Sequence, residues 1–245
     1  MTNSKDKDKV ISSIAVSFLF IGFIWLIKIF EIYTGFDLVT FGVYPRKVSG
    51  LIGVLTSPLI HSDFSHLVSN SITLFVLMFV LFYTYRKSAI RVFFIVYIFS
   101  GLSVWILGRP AYHIGASGLV YGLLSYLFFI GVLRKDRRSI ALSLLVTFLY
   151  GGLVWGVLPI DPKVSFESHL LGAIAGAVCA LLFRKTDPVI KYDWEYEDEE
   201  EEDGEDDENN DGFYLEEDAK QTSFDEDIYY DEVLEKLKKK GNKDK

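Results

Sequence analysis

Six stretches of this chain are each long and apolar enough to cross a lipid bilayer, which limits the fold more than any motif does. A spanning helix takes about 20 mostly apolar residues, because the hydrocarbon core is about 30 Å thick. The candidates lie at 10–32, 65–84, 88–108, 115–133, 139–158 and 167–183. Inside hydrocarbon the backbone has to satisfy its own hydrogen bonds, so isolated segments of this length are helices. The first is too long for a signal-peptide core and has no convincing cleavage site, so it reads as a retained span. The expected class is an all-α membrane protein, a bundle of six transmembrane helices over residues 10–183.

Charge sets orientation and a boundary. Lys and Arg in short loops stay on the cytoplasmic side. The clusters Lys5-Lys7-Lys9, Arg86-Lys87-Arg91, Arg134-Lys135-Arg137-Arg138 and Arg184-Lys185 fall at every second boundary. This predicts a cytoplasmic N-terminus at 1–9, a cytoplasmic C-terminus, and a location in a plasma or inner cell membrane. The first outer loop, 33–64, is too apolar and Gly-rich for a plain linker, so it is expected in the membrane interface. The net charge of −8 conceals an asymmetry: residues 184–245 carry 25 acidic against 10 basic side chains, whereas residues 1–183 carry 8 against 15. Such a repulsive, aliphatic-poor tail is expected to be disordered and to meet a basic cytoplasmic partner, with a short amphipathic helix at 225–240. The single cysteine, Cys179, excludes an intramolecular disulfide and a cysteine metal site. No metal, cofactor or nucleic-acid partner is expected.

Polar residues inside spans default to function, because they are costly there. His66 and Asn70 lie one helical turn apart at the outer start of the second span, Ser117 near the outer start of the fourth, and His169 near the outer start of the sixth. These spans run in one direction, so the four residues share a depth near the outer leaflet. The set suits acyl transfer. A serine hydroxyl needs a base within reach, for which His169 serves, and the tetrahedral intermediate needs donors for its oxyanion. Asn70, His66 and the Ser117 amide can supply them, the last because N–H groups at a helix start have no intrahelical acceptor. Gly118 with Gly122, and Gly172 with Gly176, form small faces that let the fourth and sixth spans approach closely. Asp63 and Glu167, near the outer surface, are expected to face water, and His113 to be an ordinary satisfied polar residue. A transporter fits poorly, because no charged pathway continues inward from the cluster.

The motifs "HSDFSHLVSN", "GASG" followed by Tyr121, and "HLLGAIAG", each on its own span, resemble the rhomboid family of intramembrane serine proteases. The resemblance implies a rhomboid-like bundle in which Ser117 is the nucleophile, His169 the base, and His66, Asn70 and the Ser117 amide the oxyanion site. It implies Gly115 in the nucleophile loop, Gly118 and Gly172 at the close approach, Tyr121 packed on the His169 ring, and a structural or water-organising role for His61. The implied substrates are single-pass transmembrane proteins cut in or beside their membrane helix, with small residues at the cleavage site. The alternative is a non-catalytic relative that binds transmembrane helices, a class that usually lacks the serine–histidine pair. The acidic tail is not part of the family core.

Overall fold

A computed structural model describes residues 4–161 and 164–189. The helices are, in order, α1 (Ser4–Thr34), α2 (Gly53–Thr56), α3 (Phe64–Thr84), α4 (Arg86–Leu107), α5 (Ser117–Arg134), α6 (Arg137–Tyr150) and α7 (Phe166–Phe183), with short 3-10 turns between them. Among the described residues there is no strand, only one isolated antiparallel bridge between Val43 and His113. Six helical segments are long and apolar enough to span a membrane, α6 counting with the 3-10 turn that extends it. The protein is therefore a multi-pass integral membrane protein.

Two boundaries differ from expectation. Helix α1 begins at Ser4 rather than residue 10, because its charged start is still helical: Asp6 and Lys9 pair across one turn at 3.7 Å, and hydropathy says nothing about a helix that continues into water. Helix α6 stops at Tyr150, and Gly151–Val157 continues as a 3-10 turn. Glycine costs about 1 kcal/mol relative to alanine inside a helix, and Gly151 and Gly152 stand together where the α-helix ends. The acidic tail and the helix expected at 225–240 lie outside the described residues.

Helix α5 is the most enclosed span, packed against α3, α4, α6 and α7. Its buried Leu119, Leu123, Leu127 and Ile130 meet Leu67, Leu74, Leu77 and Leu81 of α3, Val92 and Val96 of α4, and Ala175, Cys179 and Ala180 of α7 in one core. The α5–α7 seam is set by glycine: a Cβ on Gly172 would fall on the Gly118 carbonyl, and one on Gly176 on the Gly122 carbonyl. Backbones this close need small residues, as membrane helix pairs generally do. Helices α1 and α6 lie at the periphery and turn Leu19, Leu26, Leu144 and Phe148 outward. In lipid those exposed faces cost nothing.

The first loop is ordered by its own contacts. Val43 and His113 exchange backbone hydrogen bonds of 3.0 and 2.8 Å, and the Arg46 N–H donates to Trp105 O at 2.9 Å. Phe36, Phe41, Val48, Ile52 and Leu55 remain exposed.

Candidate active site

The site is assembled where α3, α5 and α7 begin. Asp63 caps α3, its Oδ1 accepting the His66 N–H at 2.9 Å, a side-chain bond that satisfies one of the free amides of a helix start. His66 and Asn70, four residues apart, then share a helix face. Before α5 the chain passes Gly115 at φ +105°, a conformation other residues avoid. A Cβ there would lie 2.6 Å from His66 Cε1, so glycine is needed both for the turn and for the approach to the histidine ring. The Gly115 N–H donates to Ser57 O at 2.9 Å and the Ala116 N–H to His61 Nε2 at 3.4 Å. Ser117 follows as the first residue of α5, where its own N–H has no intrahelical acceptor.

Ser165 caps α7 through its Oγ and the Ser168 N–H at 3.3 Å, which brings His169 into the first turns of that helix. His169 Nδ1 lies 2.8 Å from Gly156 O. A carbonyl can only accept, so Nδ1 carries the proton and Nε2 of the neutral ring keeps a lone pair. The Tyr121 ring stacks on the imidazole at 4.0 Å with 9° between planes, and its hydroxyl donates to Leu153 O at 2.7 Å. A Cβ on Gly156 would strike the Tyr121 hydroxyl. The 3-10 turn after α6 thus supplies both carbonyls that fix the Tyr121–His169 stack.

Ser117, His169, His66, Asn70 and Tyr121 all line one cavity of about 710 Å³. Gly118 and Gly172 lie behind it in the α5–α7 seam. Asn70 is 7% exposed, and its Nδ2 has no hydrogen-bond partner. Among the described residues no hydrogen bond joins Ser117 to His169, a kind of contact that often tightens only as the reacting complex forms.

The remaining titratable groups form a frame. Glu167 does not face water as expected: it is 8% exposed, accepts the Arg109 N–H at 3.3 Å and pairs with the Arg109 Nε at 3.6 Å. The burial is tolerated because the charge has a partner, although Oε2 has none. Asp63 is exposed. His113 is a satisfied polar residue: Nδ1 accepts from Ser165 Oγ at 2.6 Å and Nε2 donates to Arg109 O at 3.1 Å. Burial lowers the His113 pKa, and burial with the nearby His66 and Lys28 holds His61 down to about 4. Both rings are therefore neutral near pH 7. Gly156, Ser165 and Arg109 escaped the sequence reading; the only signal was the glycine pair interrupting the end of an apolar run.

The Rhomboid domain family model matches residues 48–186, more than half of the chain. The chain belongs to the rhomboid family. Among similar proteins, an uncharacterized protein of Mycobacterium tuberculosis is 35% identical over 172 residues, covering 66% of this chain and 72% of the relative. An uncharacterized protein of Mycobacterium leprae is 34% identical over 172 residues, with 66% and 68% covered. A protein of Acanthamoeba polyphaga mimivirus, named as a rhomboid protein, is 28% identical over 144 residues, with 55% and 77% covered. The matched segment contains Ser117, His169, His66, Asn70 and Tyr121.

Proposed function

We propose that the chain is an intramembrane serine endopeptidase that hydrolyses peptide bonds in or beside the transmembrane helices of single-pass membrane proteins. What carries the reading is Asn70: a buried amide donor without a partner, on the same cavity as Ser117 and His169. A buried N–H left open costs about 1–3 kcal/mol, which is reasonable where an oxyanion comes to occupy it.

In this mechanism His169 Nε2 takes the Ser117 hydroxyl proton as Oγ attacks the scissile carbonyl carbon. The oxyanion accepts from Asn70 Nδ2, a ring N–H of His66 and the Ser117 amide. The tetrahedral intermediate collapses as the imidazolium returns the proton to the leaving amine, and water then attacks the acyl-serine with His169 again as base. The His169 Nδ1–H bond to Gly156 O holds the tautomer throughout, a task that a carboxylate performs in triads. Tyr121 keeps the ring plane. Serine and histidine thus work as a dyad, with Glu167 engaged by Arg109.

Purified protein in liposomes with a reporter transmembrane substrate tests the proposal. Two fragments are expected with the native chain and none with Ser117→Ala; equal cleavage by both would overturn the assignment. Intact substrate that nevertheless binds both proteins would leave the non-catalytic, helix-binding reading. We propose further that both termini are cytoplasmic and the 33–64 loop external. A cysteine placed at Asp37 on a Cys179→Ser background should then react with a reagent confined to the outer side, whereas labelling only from the inner side would invert the topology.

A further inference from the structure

Lys28 is a cation within the first spanning helix, and only 7% of it is exposed. An ionisable side chain in a span is costly and is retained with partners. Nζ donates to Glu31 Oε2 at 2.7 Å, His61 O at 2.9 Å and Ser62 O at 3.1 Å, so all three of its donors are used. Glu31, the paired acid, accepts the Leu38 N–H through its other oxygen at 3.4 Å. The two carbonyls belong to the turn that leads into α3, and the cation gives each of them a donor.

From that turn two short chains of contact reach the cavity. Ser62 Oγ donates to Asp63 Oδ2 at 2.7 Å and lies 3.3 Å from His66 Nδ1, while Asp63 Oδ1 accepts the His66 N–H. His61 Nε2 accepts the N–H of Ala116, the residue before Ser117. Helix α1 has its own anchors on α3, with Trp25 Nε1 donating to Ser71 Oγ at 3.0 Å and Ile21 and Ile24 in the core. Docking of α1 therefore does not need a buried charge. The 61–63 turn, by contrast, takes two of its carbonyl hydrogen bonds from Lys28.

We propose that Lys28 is a positioning residue for the oxyanion site: by clamping the His61 and Ser62 carbonyls it sets the depth and orientation of His66, Asn70 and the Ala116–Ser117 amides. Its kinetic consequences rest on the peptidase reading. The residue lies before the segment matched by the family model, and it acts through others rather than on substrate.

The test pairs Lys28→Met with Glu31→Gln, so that no lone carboxylate stays buried, with Glu31→Gln alone as control and Lys28→Arg as rescue. In liposomes kcat of the pair should fall about 10-fold or more, since small misplacements in a site are that costly, with KM within about threefold of native. Lys28→Arg should recover most of the rate. In an Asn70→Ala background the same change should cost less, because residues acting on one site are not additive. Hydrogen exchange over residues 61–70 should quicken while that of α4 does not. This readout needs no turnover, so it judges Lys28 even if Ser117→Ala cleaves like the native chain and the peptidase reading falls. Native exchange over 61–70 in a folded variant, or full multiplication of the Asn70→Ala and Lys28 effects, would overturn the proposal. Lys28→Gln is measured alongside; failure of both variants to fold would also overturn it, since Lys28 would then serve the fold rather than the site.

Discussion

Where α3 ends and α4 begins, Tyr85, Ser88, Tyr126, Ser139 and Asp187 are buried and each has a partner; where α3, α5 and α7 begin, Asn70 Nδ2 and Glu167 Oε2 are buried and have none. At the first end Asp187 accepts the Lys87 N–H at 2.7 Å and the Ser88 hydroxyl at 2.5 Å, Ser88 meets the Tyr126 hydroxyl at 3.0 Å, and Tyr85 donates to Ser139 at 3.1 Å. Arg134 closes the group, bonding Asp136 and the carbonyls of Asp187 and Pro188. The same helices thus carry a saturated network at one end and an open one at the other. A saturated network rigidifies. An open one leaves the Asn70 donor without a partner, and under the proposed mechanism that donor serves a charge that exists only during reaction.

The sharpest way to break this contrast is to remove the reacting groups. Ser117→Ala or His169→Ala should lower turnover on the order of 10⁴-fold or more, with thermal unfolding close to native, in a liposome cleavage assay. Next, Asn70→Ala should cost on the order of 10² to 10³-fold in kcat and leave the melting temperature unchanged or higher, because it deletes an unmet buried donor. If Asn70→Ala instead destabilised the protein and spared the rate, the open end would be structural after all.

At the saturated end the signs reverse. Asp187→Ala should cost about 1.5–3 kcal/mol of stability, as hydrogen bonds to a charged group do, while kcat per folded molecule stays near native. Denaturant titration beside single-turnover cleavage separates the two. The last effect expected is confined to acid pH. His61 is held neutral down to about 4, mainly by burial, against about 6.5 when unfolded. Between these values the unfolded chain binds the additional proton, so stability falls as pH drops from about 6.5 toward 4 and is unaffected by this group at higher pH. His113, lowered in the same direction, adds to the trend. His61→Gln should flatten the melting temperature across that window.

Much of this was legible in the sequence because it depends on periodicity and spacing. The His66–Asn70 pair follows from one helical turn, and the α5–α7 seam from Gly118, Gly122, Gly172 and Gly176, where a missing Cβ has a direct steric meaning. Ser117, His169, His66 and Asn70 line one cavity, which accords with their places near the starts of three spans. What escaped depends on contacts between distant parts of the chain. Gly156 reads as one more glycine in an apolar run, yet its carbonyl fixes the His169 tautomer. Glu167 reads as a surface acid until Arg109, 58 residues away, is seen to bury it. Lys28 carries no spacing signal that points to residues 61 and 62, and only the fold brings their carbonyls to its ammonium. Hydropathy also could not tell where α6 changes to a 3-10 turn, since both forms are equally apolar.

If Ser117 is a nucleophile activated by His169, an electrophilic serine probe should capture it covalently. The native protein in liposomes is treated with a fluorophosphonate, digested, and the modified residue identified by mass spectrometry. A single adduct is expected on Ser117, absent after denaturation and greatly slowed in His169→Ala. Labelling confined to another serine, or Ser117 labelling that proceeds equally fast without His169, would contradict it.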